Sequence, residues 1–256
     1  MELPRPEPLK INVDEKQSVS ALWLRPTRAR ACLVLAHGAG AGMVHPSLET
    51  LARDLGERGI ATLRYQFPFM EHGGKRPDAP GVAHATVRAA VSTALALIPD
   101  LPLFAGGRSF GGRMTSQAQA ASPLPGVQGL VFFGFPLHPA GRPSSERGKH
   151  LCDVHIPMLF LQGTRDDLGD LEQLQPLCIQ LGRRATLKLL QEADHSFHVL
   201  VRSGRTNHEV RREMLDTLDD WMDQVVSADG LYLGCGKPGD STSKRWTGRA
   251  RRSPTS

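Results

Sequence analysis

At 256 residues the chain is long enough for one full domain with its own core, and 40% hydrophobic with 22% charged residues is the composition of a globular protein, which excludes the disordered and fibrous classes. Its longest apolar runs, such as residues 33–36 and 130–133, are far too short to cross a bilayer. The net charge of +5 is unevenly spread: residues 227–256 hold six Lys/Arg and two Asp, hence +4, which leaves +1 for residues 1–226, so no nucleic-acid partner is expected of the folded part.

The opening Met1-Glu2-Leu3-Pro4-Arg5 lacks the apolar core of a signal peptide, and a cytoplasmic protein with no membrane partner is expected. Cys32, Cys152, Cys178 and Cys235 show no CxxC spacing and read as reduced thiols, with no metal site.

In chain order, residues 9–13 and 18–24 read as a hairpin at a sheet edge. Residues 31–36, Ala-Cys-Leu-Val-Leu-Ala, form an unbroken apolar run that predicts a central strand buried on both faces. The turn His37-Gly38-Ala39-Gly40-Ala41-Gly42 follows; it lacks the Gly-Lys-Ser/Thr ending of a phosphate loop. A helix over 46–58 starts with Pro46 and stops at Gly59. Residues 60–65 form a strand, and 66–81 a loop whose Phe67, Phe69 and Met70 would wall an acyl pocket or cover the core edge. A helix over 82–98 ends before Pro99, a short strand starts at Leu101, and a helix covers 113–121. Residues 127–133 are a buried strand, and the polar connection 134–155 is too short for a helical cap domain, so an open site is expected. A strand over 156–162, a helix over 171–181, a strand over 185–191 and an amphipathic helix over 207–226 complete the domain. Residues 227–256 read as a basic, low-complexity, disordered tail. Strands alternating with helices predict an α/β domain over 1–226, with a mostly parallel central sheet, helices on both faces and a site beyond the carboxyl ends of the strands.

Gly107-Arg108-Ser109-Phe110-Gly111, between a strand and a helix, has the pattern of a nucleophile elbow. A strand that turns directly into a helix strains the residue at the turn and lifts its side chain, while the close crossing admits only Gly at 107 and 111. The plain alternative is a Ser that caps the helix. The strand over 156–162 runs into Thr164-Arg165-Asp166-Asp167, and the strand over 185–191 into Asp194-His195-Ser196-Phe197-His198. The chain order Ser, Asp, His predicts a nucleophile, an orienting acid and a base at three strand ends. Asp166 stands before Asp167 and His195 before His198; Asp166 as a helix cap and His195 bonded to Asp194 are the structural alternatives. The backbone N–H groups of Phe110 and Ala39 are the expected oxyanion donors. Arg108, Phe67 and His138 are expected to touch substrate, and Arg64, Arg108 and Arg142 on site loops would favour esters with an anionic group.

With Leu35-Ala36-His37-Gly38-Ala39-Gly40, Leu63-Arg64-Tyr65-Gln66-Phe67-Pro68, Gly134-Phe135-Pro136-Leu137-His138-Pro139 and Leu161-Gln162-Gly163-Thr164-Arg165-Asp166, these motifs make residues 30–226 resemble the alpha/beta hydrolases. The likeness is to the dienelactone-hydrolase-like serine hydrolases, and within them to the branch named after a testis-expressed protein and a histone-acetylation-complex subunit. It implies the alpha/beta-hydrolase fold without a large cap, and a carboxylesterase-like serine hydrolase acting on small acyl substrates. It implies no metal or organic cofactor, and says nothing of oligomeric state. Dienelactone hydrolases use Cys where this chain has Ser109. A non-catalytic interaction protein of the same fold is the second expectation.

Overall fold

The computed structural model describes residues 3–233. Eight strands form one sheet in the order β1-β2-β4-β3-β5-β6-β7-β8. β1 (Glu7–Asn12) and β2 (Ser18–Leu24) make an antiparallel hairpin, and β2 pairs antiparallel with β4 (Ile60–Tyr65). β3 (Ala31–Ala36), β4, β5 (Leu103–Arg108), β6 (Val127–Phe133), β7 (Met158–Gly163) and β8 (Ala185–Leu190) run parallel. Every residue of β3, β4 and β7 is buried; β3 is an unbroken apolar run, while β4 and β7 also bury Thr62, Arg64 and Gln162.

Side chains of one strand alternate between two cores, as the two-residue period of a strand requires. Val34, Ala105, Phe132 and Phe160 face the layer formed by α3 (Pro80–Leu97), α4 (Phe110–Ala121) and α5 (Leu171–Leu181). Leu33, Leu35, Phe104, Val131 and Leu161 face α1 (Pro46–Glu57) and α6 (Asn207–Leu233). The last helix is held by charge as well as by apolar contact. Asp219 accepts from Arg30 Nη2 at 2.8 Å and from Arg58 Nη1 at 2.7 Å, tying α6 to the entrance of β3 and the end of α1.

Four stretches differ from the sequence expectation. Residues 66–81 contain a short helix, α2 (Pro68–Glu71), and α3 begins already at Pro80; both prolines occupy first-turn positions where no N–H is required. α4 starts at Phe110 rather than at 113, because the elbow forces a helix directly after Ser109 despite two glycines of low helix propensity. The connection after β6 contains a 3-10 helix, Glu146–Asp153, that packs down onto α4 and forms no cap domain among the described residues. α6 continues past Val226 to Leu233, so the first stretch of the expected tail is helical; the rest of that expectation, 234–256, lies outside the described residues. No helix among the described residues is long and apolar enough to cross a membrane.

Trp221 carries the α6 contact at the sheet's centre. It is 5% exposed, its ring stands 5.7 Å from that of Phe104, and its tip fills the space left by Gly129, where a Cβ would lie 2.6 Å from Cη2. Trp221→Ala is expected to cost about 3–5 kcal/mol and Gly129→Ala about 1–3 kcal/mol. Because the two share one contact, the double variant should cost clearly less than the sum, read from urea unfolding; strict additivity would contradict this packing.

Candidate active site

Ser109, at the end of β5, has φ 50° and ψ −116°, a conformation that L-residues rarely adopt and that costs on the order of 1–3 kcal/mol. The turn is held from several sides. The Ser109 N–H donates to Phe133 O at 3.2 Å, its carbonyl accepts from Arg113 N at 3.1 Å, and the crossing chain presses on β3. A Cβ on Gly107 would overlap Ala36 O, and one on Gly111 would lie 2.7 Å from Ala36 Cβ. Ser109 occupies the cap position of α4, yet its side chain makes no capping bond. The reading of Ser109 as a helix cap therefore has no support in the geometry.

The turn after β3 lies against the elbow. A Cβ on Gly38 would be 3.9 Å from Ser109 Cβ. His37 shapes this turn: it is 1% exposed, its Nδ1 donates to Gly38 O at 2.7 Å, and its Nε2 accepts from Phe67 N at 2.9 Å. The acceptor role needs a neutral ring, and burial supplies it by lowering the imidazole pKa to about 4. Ala39 follows, half-buried. Phe110 opens α4, so its N–H has no intrahelical acceptor.

β7 and β8 deliver the other two groups. His195 Nδ1 lies 2.8 Å from Asp166 Oδ2. An ionised carboxylate only accepts, so the imidazole proton sits on Nδ1 and Nε2 is left with a free lone pair. The Asp166 carboxylate is fully buried and further bonded: Gln162 Nε2 donates to Oδ2 at 2.6 Å and Leu168 N to Oδ1 at 2.8 Å. Asp167 and His198 are exposed, and the cap of α5 is Asp170, which accepts from Glu172 N at 2.8 Å. Asp194 does not hold the His195 ring. Its Oδ1 accepts from Ser196 N at 2.8 Å and His198 N at 2.9 Å, which shapes the loop. Among the described residues the Ser109 hydroxyl makes no direct hydrogen bond to His195. The end of β6 lies against both residues: Phe133 O takes the Ser109 N–H, and on the next residue, Gly134, a Cβ would lie 3.3 Å from the His195 ring.

The expected substrate contacts divide. Arg108 is half-buried: Nη1 is 3.4 Å from Ser47 Oγ, Nη2 is 3.4 Å from His195 O, and the guanidinium carbon is 5.9 Å from the Phe197 ring centroid. Phe67 is not a pocket wall. It is fully buried, with its ring 5.2 Å from that of Phe110 and 5.0 Å from that of His37, and supports the elbow from below. His138 is 2% exposed and both its nitrogens are taken, Nδ1 by Pro139 O at 2.9 Å and Nε2 by Asp170 N at 3.0 Å, so it pins two loops rather than touching substrate. Arg64 is 2% exposed and donates to Met43 O, and Arg142 is exposed on its loop. His37 and Gln162 were not picked out as site residues by sequence. A polar residue ending the apolar run Met-Leu-Phe-Leu-Gln-Gly was the available signal for Gln162, because a buried amide must have partners. Among the described residues no group of three or more His, Cys, Asp or Glu is arranged to hold a metal ion.

Residues 29–223 match the family described as alpha/beta hydrolase domain. Among solved structures, the chain is similar to a dienelactone hydrolase from Anabaena variabilis, at 21% identity and a TM-score of 0.69, covering 86% of this chain and 99% of that one. It is similar to an alpha-beta serine hydrolase homologue from Coxiella burnetii, at 20% identity and a TM-score of 0.68, covering 85% of this chain and all of that one (100%). A third, from Xanthomonas campestris and described as an a/b serine hydrolase without lid, is 22% identical with a TM-score of 0.66, covering 85% of this chain and 95% of that one.

The neutral, buried His37 has a consequence for stability. Its folded pKa of about 4 lies below the unfolded value of 6.5, so between them the unfolded chain holds a proton that the folded chain does not. Its contribution is therefore present above pH 6.5 and is lost as pH falls towards 4. His150, lowered to about 4 chiefly by burial, acts with the same sign. Urea unfolding at pH 7.5, 6 and 5 should show falling stability, with a flatter slope for His37→Gln; identical slopes would contradict the assignment.

Proposed function

The chain belongs to the alpha/beta hydrolase family, and on that footing we propose that it is a carboxylesterase-like serine hydrolase in which Ser109 is the nucleophile, His195 the base and Asp166 the orienting acid. The observation that carries this reading is the pairing of a strained Ser109, whose hydroxyl has no capping role, with a His195 ring fixed by a buried carboxylate in the tautomer a base requires.

Substrate binding closes the remaining distance, bringing Ser109 Oγ to His195 Nε2, since hydrogen bonds of this kind tighten only when the acyl group is bound. Nε2 takes the hydroxyl proton as Oγ attacks the acyl carbon. The resulting oxyanion accepts from the N–H groups of Phe110 and Ala39. The imidazolium, stabilised by Asp166, returns the proton to the departing alcohol and leaves an acyl-Ser109; water then repeats the sequence to release the acid. Gln162 keeps the Asp166 carboxylate turned towards His195, and His37 keeps the Gly38–Ala39 turn in place. Small esters suit a site with no cap domain over it among the described residues. Among the described residues Cys32, Cys152 and Cys178 are unpaired thiols, which accords with action in the reducing cytoplasm.

A fluorophosphonate probe tests the reading without knowledge of the substrate. Wild type should label on Ser109, and Ser109→Ala should not. Asp166→Asn should slow labelling and the hydrolysis of short aryl esters by about 10³–10⁴-fold, because the ring loses its tautomer. Folded wild type that stays unlabelled would overturn the proposal.

A further inference from the structure

A cavity of about 420 Å³ lies beside the elbow, between the first turns of α1 and α6 and the loop that follows β8. Its lining includes the chain neighbours of both proposed reacting groups: Arg108 precedes Ser109, and Ser196 follows His195. Its charged and titratable lining is Arg108, Arg211, His45 and His198, with no Asp or Glu. Ser47, Ser196 and Asn207 add neutral polar groups, while Leu51, Phe133 and Met214 give it an apolar floor. Both helices that border it direct their N-terminal ends, and hence their positive dipole ends, to its rim.

Arg108 is the odd member of this lining. Arg211 is answered by Asp54, with Nε 3.0 Å from Oδ2. Arg108 has no carboxylate partner among the described residues. Its terminal nitrogens meet only neutral oxygens of Ser47 and His195 at 3.4 Å, the outer limit of a hydrogen bond. Asp166 and Asp194 act on it only at a distance, each being spent on its own loop. A half-buried guanidinium with no carboxylate bonded to it is costly unless a ligand supplies one, and its planar fork fits a carboxylate with two parallel bonds.

We propose that this cavity takes the carboxylate of a substrate that is both ester and acid, with Arg108 as the specificity-determining cation. The inference rests on the serine-hydrolase reading and names the substrate class of that site. The carboxylate lies against Arg108 while the apolar linker of the substrate covers Phe133 and Leu51. The scissile carbonyl then reaches Ser109, one residue away from the anchoring cation.

Two matched ester pairs test this. One carries the charge on the acyl side: the 4-nitrophenyl half-ester of succinic acid against the corresponding methyl diester. The other carries it on the leaving group: 4-acetoxybenzoate against its methyl ester. The wild type should favour the charged member of one pair by about tenfold or more in kcat/KM, chiefly through KM, and less so at high salt. Arg108→Gln should reduce that ratio to about two, and Arg108→Lys should keep part of it. Ratios near one in both pairs, or a preference untouched by Arg108→Gln, would overturn the proposal. A separate readout keeps it apart from the proposed chemistry: calorimetric binding of the succinate half-ester to Ser109→Ala protein, repeated with Arg108→Gln added. Binding that needs Arg108 in a protein that never labels would uphold the cavity and refute the hydrolase; labelling without such binding would do the reverse.

Discussion

The site is built around one close crossing, where the elbow between β5 and α4 presses against the end of β3. No side chain fits at Gly107 or Gly111, so two backbones approach within a distance that packed side chains would forbid. This approach sets Ser109 beside the Gly38 turn and strains its backbone. The strain is held by the Phe133 carbonyl below and by the aromatic cluster of Phe67, Phe69 and Phe110 alongside. The other functional loops register on this crossing. β6 passes from Phe133, which binds the Ser109 amide, to Gly134 under the His195 ring, and β7 brings Gln162 and Asp166 to the far side of that ring.

Polar groups inside this region divide between holding the frame and facing the site. His37, Gln162 and His138 are buried with their ring or amide atoms bonded to loop backbone or to Asp166, so they fix the turns that carry other groups. A buried amide or imidazole is tolerated only when so bonded, which makes these residues rigid connectors. Arg108 is different. It touches α1, Phe197 and the His195 carbonyl, but through weak contacts and with no carboxylate bonded to it among the described residues. That contrast sets Arg108 apart from these connectors.

Much of this was legible in the sequence, for reasons that differ by element. β3 and the Leu130–Phe133 stretch of β6 announce themselves because burial on both faces demands apolar runs. The elbow announces itself because steric exclusion leaves only glycine at its flanks. What escaped was set by tertiary context. Phe67 and His138 look like site residues on loops, yet Phe67 packs under Phe110 and His138 spends both nitrogens on backbone. The helix start at Phe110 opposes local propensity, because two glycines follow it, and is imposed by the turn at Ser109. Gln162 and His37 also bond Phe135 N and Phe67 N, residues distant in sequence, and that half of their role shows only in the fold.

The proposed mechanism requires Ser109 to form a covalent acyl intermediate. Its most direct test is intact-mass analysis of protein mixed with a short 4-nitrophenyl ester and quenched in acid within the first turnovers. Peptide mapping then locates any adduct. The account predicts one acyl group per chain, carried on the peptide containing Ser109, and none in the Ser109→Ala protein. An adduct on another residue, or ester turnover that survives in Ser109→Ala, would contradict it.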